Sequence, residues 1–362
     1  MRQHAETLSG PEPTADMSEY GTQTLKSVAD SRSECGATGP ESDDTPERVP
    51  GEFDGYGDPA LDTRLASDEY ADVLPDRYRF DGKVLSWGGA VQQYLNHRRG
   101  ERASVESDDS PVSRGTLRHR ALQKNAVVHR ADREVRERME DPVLSLITLA
   151  GSFDSTEVRV VDYAVQLSDA FDSALDTFRY QTQQKRGWDV EYVVVLAGTD
   201  DGVPHYHMVV WIDRASMPAD TDTESRLRNG LVPVVERFQS ELDSTLRESV
   251  EDDTGIPDGA VRVDTDPDEG LERYPADGRD GPVHPFSRYA SNQVPHLGRA
   301  TEDTDSFDGM AKSERRVGAV ADALPRDVSQ WRSSTGVPAI GSTDVGKSGI
   351  TERQSADYTF RQ

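Results

Sequence analysis

Pro204-His205-Tyr206-His207-Met208-Val209-Val210-Trp211-Ile212-Asp213 sets two histidines, one residue apart, inside a run of strand-forming side chains. Successive side chains of a strand point to opposite faces. His205 and His207 therefore share a face with Val209 and Trp211, while Tyr206, Met208, Val210 and Ile212 take the other. A strand that is apolar on both faces is expected to be covered on both, within a layered domain. Two imidazoles on one face, about 7 Å apart by the strand rise, can chelate a single metal ion. The competing reading is one buried and one surface histidine with no ligand, and an isolated His-x-His does not decide between them.

Working outward, residues 190–197 read as the preceding strand, and Gly198-Thr199-Asp200-Asp201-Gly202 has the chemistry of a hairpin loop. These two strands are expected to be antiparallel neighbours. Upstream, residues 143–150 read as a strand closed by Gly151. Residues 161–186 read as an amphipathic helix, with Tyr163, Ala164, Leu167, Phe171, Ala174, Leu175 and Phe178 at spacings of three and four. Downstream, 224–246 is a helix that Pro233 should kink or offset, and 260–264 is a short strand. The order strand, helix, strand, strand, helix, strand is the split βαβ arrangement. It predicts an α+β, ferredoxin- or RRM-like domain with a central antiparallel sheet, its helices on one face and the other face presented to chemistry.

Composition bounds the rest. The chain has 362 residues, 67 Asp and Glu against 41 Lys and Arg, a net charge of -26 and 34% hydrophobic residues. Length alone allows two domains, but the apolar residues concentrate between about residues 142 and 297. One core with poorly ordered flanks is expected. Such acidity ordinarily argues against a nucleic-acid partner. Here Asp and Glu are scattered along the whole chain and Arg supplies most of the positive charge, a pattern that resembles a halophilic proteome. Local charge must then be read in place of global charge. High salt weakens phosphate contacts by counterion release, so binding would lean on chelation and stacking. Trp87, Trp188 and Trp331 are the stacking candidates, with core packing competing for each. Cys35 is the single cysteine, which excludes an intrachain disulfide framework or a thiolate metal site. No apolar run reaches the length of a membrane span, and the first 20 residues lack the apolar stretch of a signal peptide. The expectation is a soluble cytoplasmic protein with no membrane partner.

In chain order, residues 1–75 read as a disordered acidic tail and 76–140 as a helical, basic lead-in. Within the latter, 79–87 is a short strand or turn, 90–97 a short helix and 104–110 a polar linker. From 114 to 139 the charge changes sign through Arg114, Arg118, Arg120, Lys124, Arg130, Arg133, Arg136 and Arg138. One reading is a solvated helix with internal pairs to Asp132, Glu134 and Glu137. The other is a helix that tracks phosphates, with Arg118, Arg120, Lys124 and Arg130, joined by Arg288, as the DNA contacts. Asp141-Pro142 ends it. Residues 301–362 read as a short helical extension and tail, with 312–331 packing onto the domain rather than binding DNA independently.

Val283-His284-Pro285-Phe286-Ser287-Arg288-Tyr289-Ala290-Ser291-Asn292-Gln293 predicts a short helix starting near Pro285. Tyr289 and Gln293, four residues apart, share one helical face. Together with the histidines these residues resemble the HUH endonuclease superfamily of rolling-circle initiators, relaxases and single-tyrosine transposases. Leu146-Ile147-Thr148-Leu149 looks like its first motif, His205-Tyr206-His207 its second, and Tyr289 with Gln293 its third. The third motif often ends in Lys. Single-tyrosine transposases carry Tyr-x-x-x-Gln, which by correspondence makes Gln293 the third metal ligand. The resemblance covers about 141–300, and the flanks, with the basic helix, resemble haloarchaeal plasmid or virus replication initiators more than the much shorter transposases.

That resemblance implies a Mg²⁺ or Mn²⁺ ion on His205, His207 and Gln293. It further implies attack by Tyr289 on single-stranded or hairpin origin DNA, through a 5′-phosphotyrosine, with a host helicase and polymerase as partners. Thr148, His284 and His296 are candidates for the base that activates the phenol. A transposase or relaxase, a non-catalytic origin binder or repressor, and a metal-dependent hydrolase without a tyrosyl intermediate stay open. Two further strings are set aside. Gly341-Ser342-Thr343-Asp344-Val345-Gly346-Lys347-Ser348 spells a P-loop without the strong preceding strand that motif needs. Asp264-x-Asp266-x-Asp268 fails as a calcium loop, with Glu269 where Gly is required and Pro275 where Glu is required.

Overall fold

The computed structural model describes residues 58–106, 117–219, 222–248, 255–266, 272–273, 282–293, 312–325, 328 and 330–338. Along the chain lie α1 (Asp68–Ala71), the hairpin β1 (Arg79–Phe80) and β2 (Lys83–Val84), α2 (Trp87–Glu106) and α3 (Leu117–Arg138). Next come β3 (Pro142–Leu149), α4 (Val160–Arg179), β4 (Val190–Gly198), β5 (Pro204–Asp213), α5 (Thr223–Glu241) and β6 (Val261–Asp264). The short strands β7 (Glu272–Arg273) and β8 (Pro282–Val283), α6 (Pro285–Asn292), α7 (Lys312–Ala323) and β9 (Trp331–Ser333) complete the series. The protein is α+β. Its main sheet runs β6-β3-β5-β4-β9, every pair antiparallel. No helix among the described residues is long and apolar enough to cross a membrane.

The histidine strand β5 is the middle of that sheet, buried at every position but Asp213. Its alternation divides the core in two. Tyr206, Met208, Val210 and Ile212 pack with the buried residues of α4 and α5. Val209 and Trp211 pack with Leu144 and Leu146 of β3, Val193 and Val195 of β4, and Val127, Val128, Ala131 and Val135 of α3. Register explains the partition, because antiparallel partners share a face: Leu146 sits opposite Val209 and Leu144 opposite Trp211.

Pro233 lies inside α5 and does not end it. A proline in that place leaves the carbonyl four residues earlier without its helical donor. That carbonyl, on Asn229, accepts instead from Arg186 Nη2 at 2.9 Å. The helix before Arg186 ends in a π-turn, Tyr180–Gln184, and the chain reverses at Gly187 with φ +69°.

Two expectations change. The disordered tail predicted for 1–75 overlaps folded chain: Leu61, Leu65, Ala66 and Leu74 are buried in the larger core with Trp87, Tyr94 and Tyr163. These apolar residues are isolated in the sequence because each is buried from an irregular segment, so no period betrays them. Residues 1–57 lie outside the described residues. Helices also cover both faces of the sheet, not one. The basic helix α3 belongs to the histidine face, where Leu144, Leu146, Val193, Val195 and Trp211 require cover. Further along, β9 pairs with β4, and Gly318 brings α7 against the Tyr94 ring of α2. The P-loop string 341–348 lies outside the described residues.

Candidate active site

His205 and His207 point from β5 to the α3 side of the sheet, 7% and 3% exposed. Strand geometry alone spaces such residues by about 7 Å. Here the rings lean together at 89°, with 4.5 Å between centroids and 2.9 Å between the two Nε2 atoms. Thr148, opposite His207 in the β3–β5 register, sets its Oγ1 3.2 Å from His207 Nδ1. Burial pushes the His205 pKa down to about 4, against a smaller upward pull from the Val203 backbone. Burial also holds His207 well below the ordinary imidazole value, with His205 and Arg262 acting in the same direction.

Both rings are therefore neutral near pH 7. Two neutral imidazoles whose Nε2 atoms meet hold at most one proton between them, and a divalent cation can take that proton's place. The donor set fits Mn²⁺ or Mg²⁺ if oxygen ligands complete it. Among the described residues no third His, Cys, Asp or Glu joins the pair to make a metal-binding group.

Tyr289 comes to the pair from α6. Its ring meets His207 edge-on, 5.0 Å between centroids at 63°, and 43% of the residue is exposed. Partial burial raises the phenol pKa; Arg262 opposes that shift and Asp200 adds to it. Arg262 sits opposite Leu146 on β6, hence on the same face as the histidines. Gln293 is the C-cap of α6, its backbone N–H donating to the Ala290 carbonyl. Among the described residues no hydrogen bond joins the Gln293 side chain to either imidazole. The fold thus brings His205, His207, Thr148 and Tyr289 together, and leaves Gln293 one turn further along the helix.

His284 caps the helix that carries Tyr289. It is fully buried as the N-cap of α6; its Nδ1 accepts from the Phe286 N–H at 3.1 Å and its Nε2–H donates to Asp264 at 3.1 Å. Burial lowers its pKa, although Asp132 and Asp264 pull it up. Both ring nitrogens are committed to these bonds. His296 lies outside the described residues.

The polar contacts that seat α6 escape a reading of the chain in order. Asp132 of α3, completely buried, accepts from Trp211 Nε1 at 3.0 Å and Ser287 Oγ at 2.8 Å on Oδ1. Its Oδ2 accepts from Arg136 at 2.7 and 3.1 Å and from the His284 N–H at 3.0 Å. Burial alone would raise its pKa, but the Arg136 guanidinium and these donors hold it below the ordinary carboxylate value. One turn away, His129 Nε2 lies 2.8 Å from Ser291 Oγ. Serines four apart on one helix, facing His129 and Asp132 three apart on another, were the available signal. Nothing in the chain order pairs them.

The DNA-contact candidates fare unevenly. Arg130 pairs with Glu134, Arg136 with Asp132 and Arg138 with Glu191. Much of the positive charge of α3 is thus spent within the protein. Lys124 and Arg288 are half-buried, and the side chains of Arg118 and Arg120 lie outside the described residues. Trp87 and Trp188 are core residues, 1% and 3% exposed, whereas Trp331 is partly buried on β9. Compared with family models, curated proteins and solved structures, the chain matches none.

Proposed function

We propose that the protein is a metal-dependent, single-stranded DNA nickase and strand transferase of the HUH type, serving as a rolling-circle replication initiator. The observation that carries this reading is the meeting of the Tyr289 ring with an imidazole pair whose Nε2 atoms converge. The element order from β3 to β6 and the strand order β6-β3-β5-β4 support a split βαβ domain of that kind.

His205, His207 and Gln293 would hold Mg²⁺ or Mn²⁺, which when bound supplies Lewis-acid polarisation of the scissile phosphate. Thr148 fixes the orientation of His207 through its Nδ1. Tyr289 Oη forms a bond to phosphorus and gives up its proton; the P–O3′ bond breaks, and its electron pair leaves with the 3′ oxygen, which is protonated to a free 3′-OH. The 5′ phosphate stays on the tyrosine, so the bond is conserved for rejoining, and the 3′-OH can prime a polymerase behind a host helicase. Single-stranded or hairpin origin DNA suits the site, because a duplex phosphate is hard to bring in line with a tyrosine on a short, fixed helix.

The test is incubation with labelled single-stranded origin DNA and Mn²⁺ in high salt, resolved on denaturing gels. A covalent adduct that disappears in Tyr289→Phe supports the enzyme. DNA binding without nicking or adduct assigns the same fold to an origin-binding repressor, and nicking without an adduct assigns it to a hydrolase.

A further inference from the structure

The helix that carries Tyr289 is short and thinly packed. An eight-residue helix is marginal by itself, and among its described side chains α6 gives the core on the histidine face only Ala290 fully and Phe286 in part. Among the described side chains its other buried residues are Ser287 and Ser291, both completely enclosed. These two flank Tyr289, and each is engaged by α3. Ser287 Oγ donates to Asp132 Oδ1 at 2.8 Å. Ser291 Oγ donates to the Arg288 carbonyl at 2.8 Å, so its contact with His129 is one in which the imidazole Nε2–H donates.

We propose that Asp132 is the positioning residue for Tyr289, its carboxylate fixing where α6 lies relative to the histidine strand. Three features of the geometry carry this. Asp132 contacts α6 twice, through the Ser287 hydroxyl and through the His284 N–H at the helix start. It contacts β5 once, through Trp211 Nε1, and Trp211 lies on the same face of that strand as His207. A single carboxylate therefore refers the tyrosine helix and the imidazole strand to one point. Arg136 neutralises the charge that this arrangement buries. The functional part of the inference rests on Tyr289 being the nucleophile; the hold on α6 does not.

The experiment compares the full chain with Ser287→Ala and Asp132→Asn. Ser287→Ala cuts one link to α6 and spares the Arg136 pair and the Trp211 bond, so it remains informative if Asp132→Asn fails to fold. Amide hydrogen exchange is read over 284–292 and over α4, and adduct formation is measured against DNA concentration. The expected result is faster exchange confined to 284–292. The expected kinetic result is a fall in the saturating rate of adduct formation approaching about 100-fold, the scale of a misplacement near 1 Å, with KM for DNA unchanged. A merely structural role would speed exchange in α4 as well and leave the rate per folded molecule intact, which overturns the proposal. Unchanged exchange over 284–292 in Ser287→Ala also overturns it. If the unmodified protein forms no adduct while Ser287→Ala still loosens α6, the nuclease reading fails and the hold of Asp132 on the helix stands.

Discussion

The Tyr289 ring meets the His207 ring edge-on at 5.0 Å, bringing a helix late in the chain onto the middle strand of the sheet. Tyr289→Phe keeps that ring contact and removes only the hydroxyl. Adduct formation is expected to fall by roughly 10³-fold or more, while thermal stability and DNA retention on a filter change little. Persistent adduct formation in this variant would show that another residue attacks.

The converging Nε2 atoms predict a stabilising cation. At a Mn²⁺ concentration 100 times its dissociation constant, binding to the folded state alone adds about 2.7 kcal/mol. Melting temperature should rise with Mn²⁺ and fall back with EDTA, and His205→Ala or His207→Ala should abolish the rise. An equal rise in both variants places the cation elsewhere.

Acid should weaken the metal-free protein through the same pair. His205 titrates at about 4 when folded, against about 6.5 in an unfolded chain. Between those values the unfolded chain binds a proton that the folded protein refuses, so stability rises with pH there. The cost is absent above about pH 6.5 and grows to about 3 kcal/mol for His205 as pH falls through 4. His207 acts in the same direction. Urea midpoints between pH 7.5 and 4.5 should show the slope, and His205→Gln should flatten it. A midpoint independent of pH in the unmodified protein contradicts the buried, neutral pair.

How much of this was legible follows from period and distance. The strand alternation around His205 and His207, the 3.6-residue period of α4 and the Pro285 start of α6 are local signals, and each element lies where they point. The strand β9 carries no such signal, because three residues have no period; its place comes from pairing with β4. Leu61 and Leu65 were invisible for the same reason. In the basic run of α3 the pairs Arg130–Glu134 and Arg136–Asp132 are legible from their spacing of four, whereas charge counts do not reveal that Arg138 meets Glu191 across the fold. Asp132 looked like one more helix-surface acid, since its partners Trp211, His284 and Ser287 are brought to it only by tertiary packing.

Gly202 precedes the histidine strand with φ +79°, and an added Cβ would collide with the Arg316 side chain. Arg316 is itself 1% exposed, bonded to Asp58 at 2.7 Å and to the Asp201 carbonyl at 3.0 Å. Gly202→Ala should therefore cost about 1–3 kcal/mol, read as a lowered urea midpoint. A neutral result would mean that the loop relaxes without help from Arg316.

β9 is a thin strip, Trp331–Ser333, laid along Val193-Val194-Val195 of β4. Shortening the protein ahead of Trp331 would keep both histidines and the tyrosine yet bare a row of valines on the sheet rim. Such a rim recruits other chains. Light scattering should find the trimmed protein clumping where the untrimmed one stays dispersed; equal dispersion would show that this rim needs no cover.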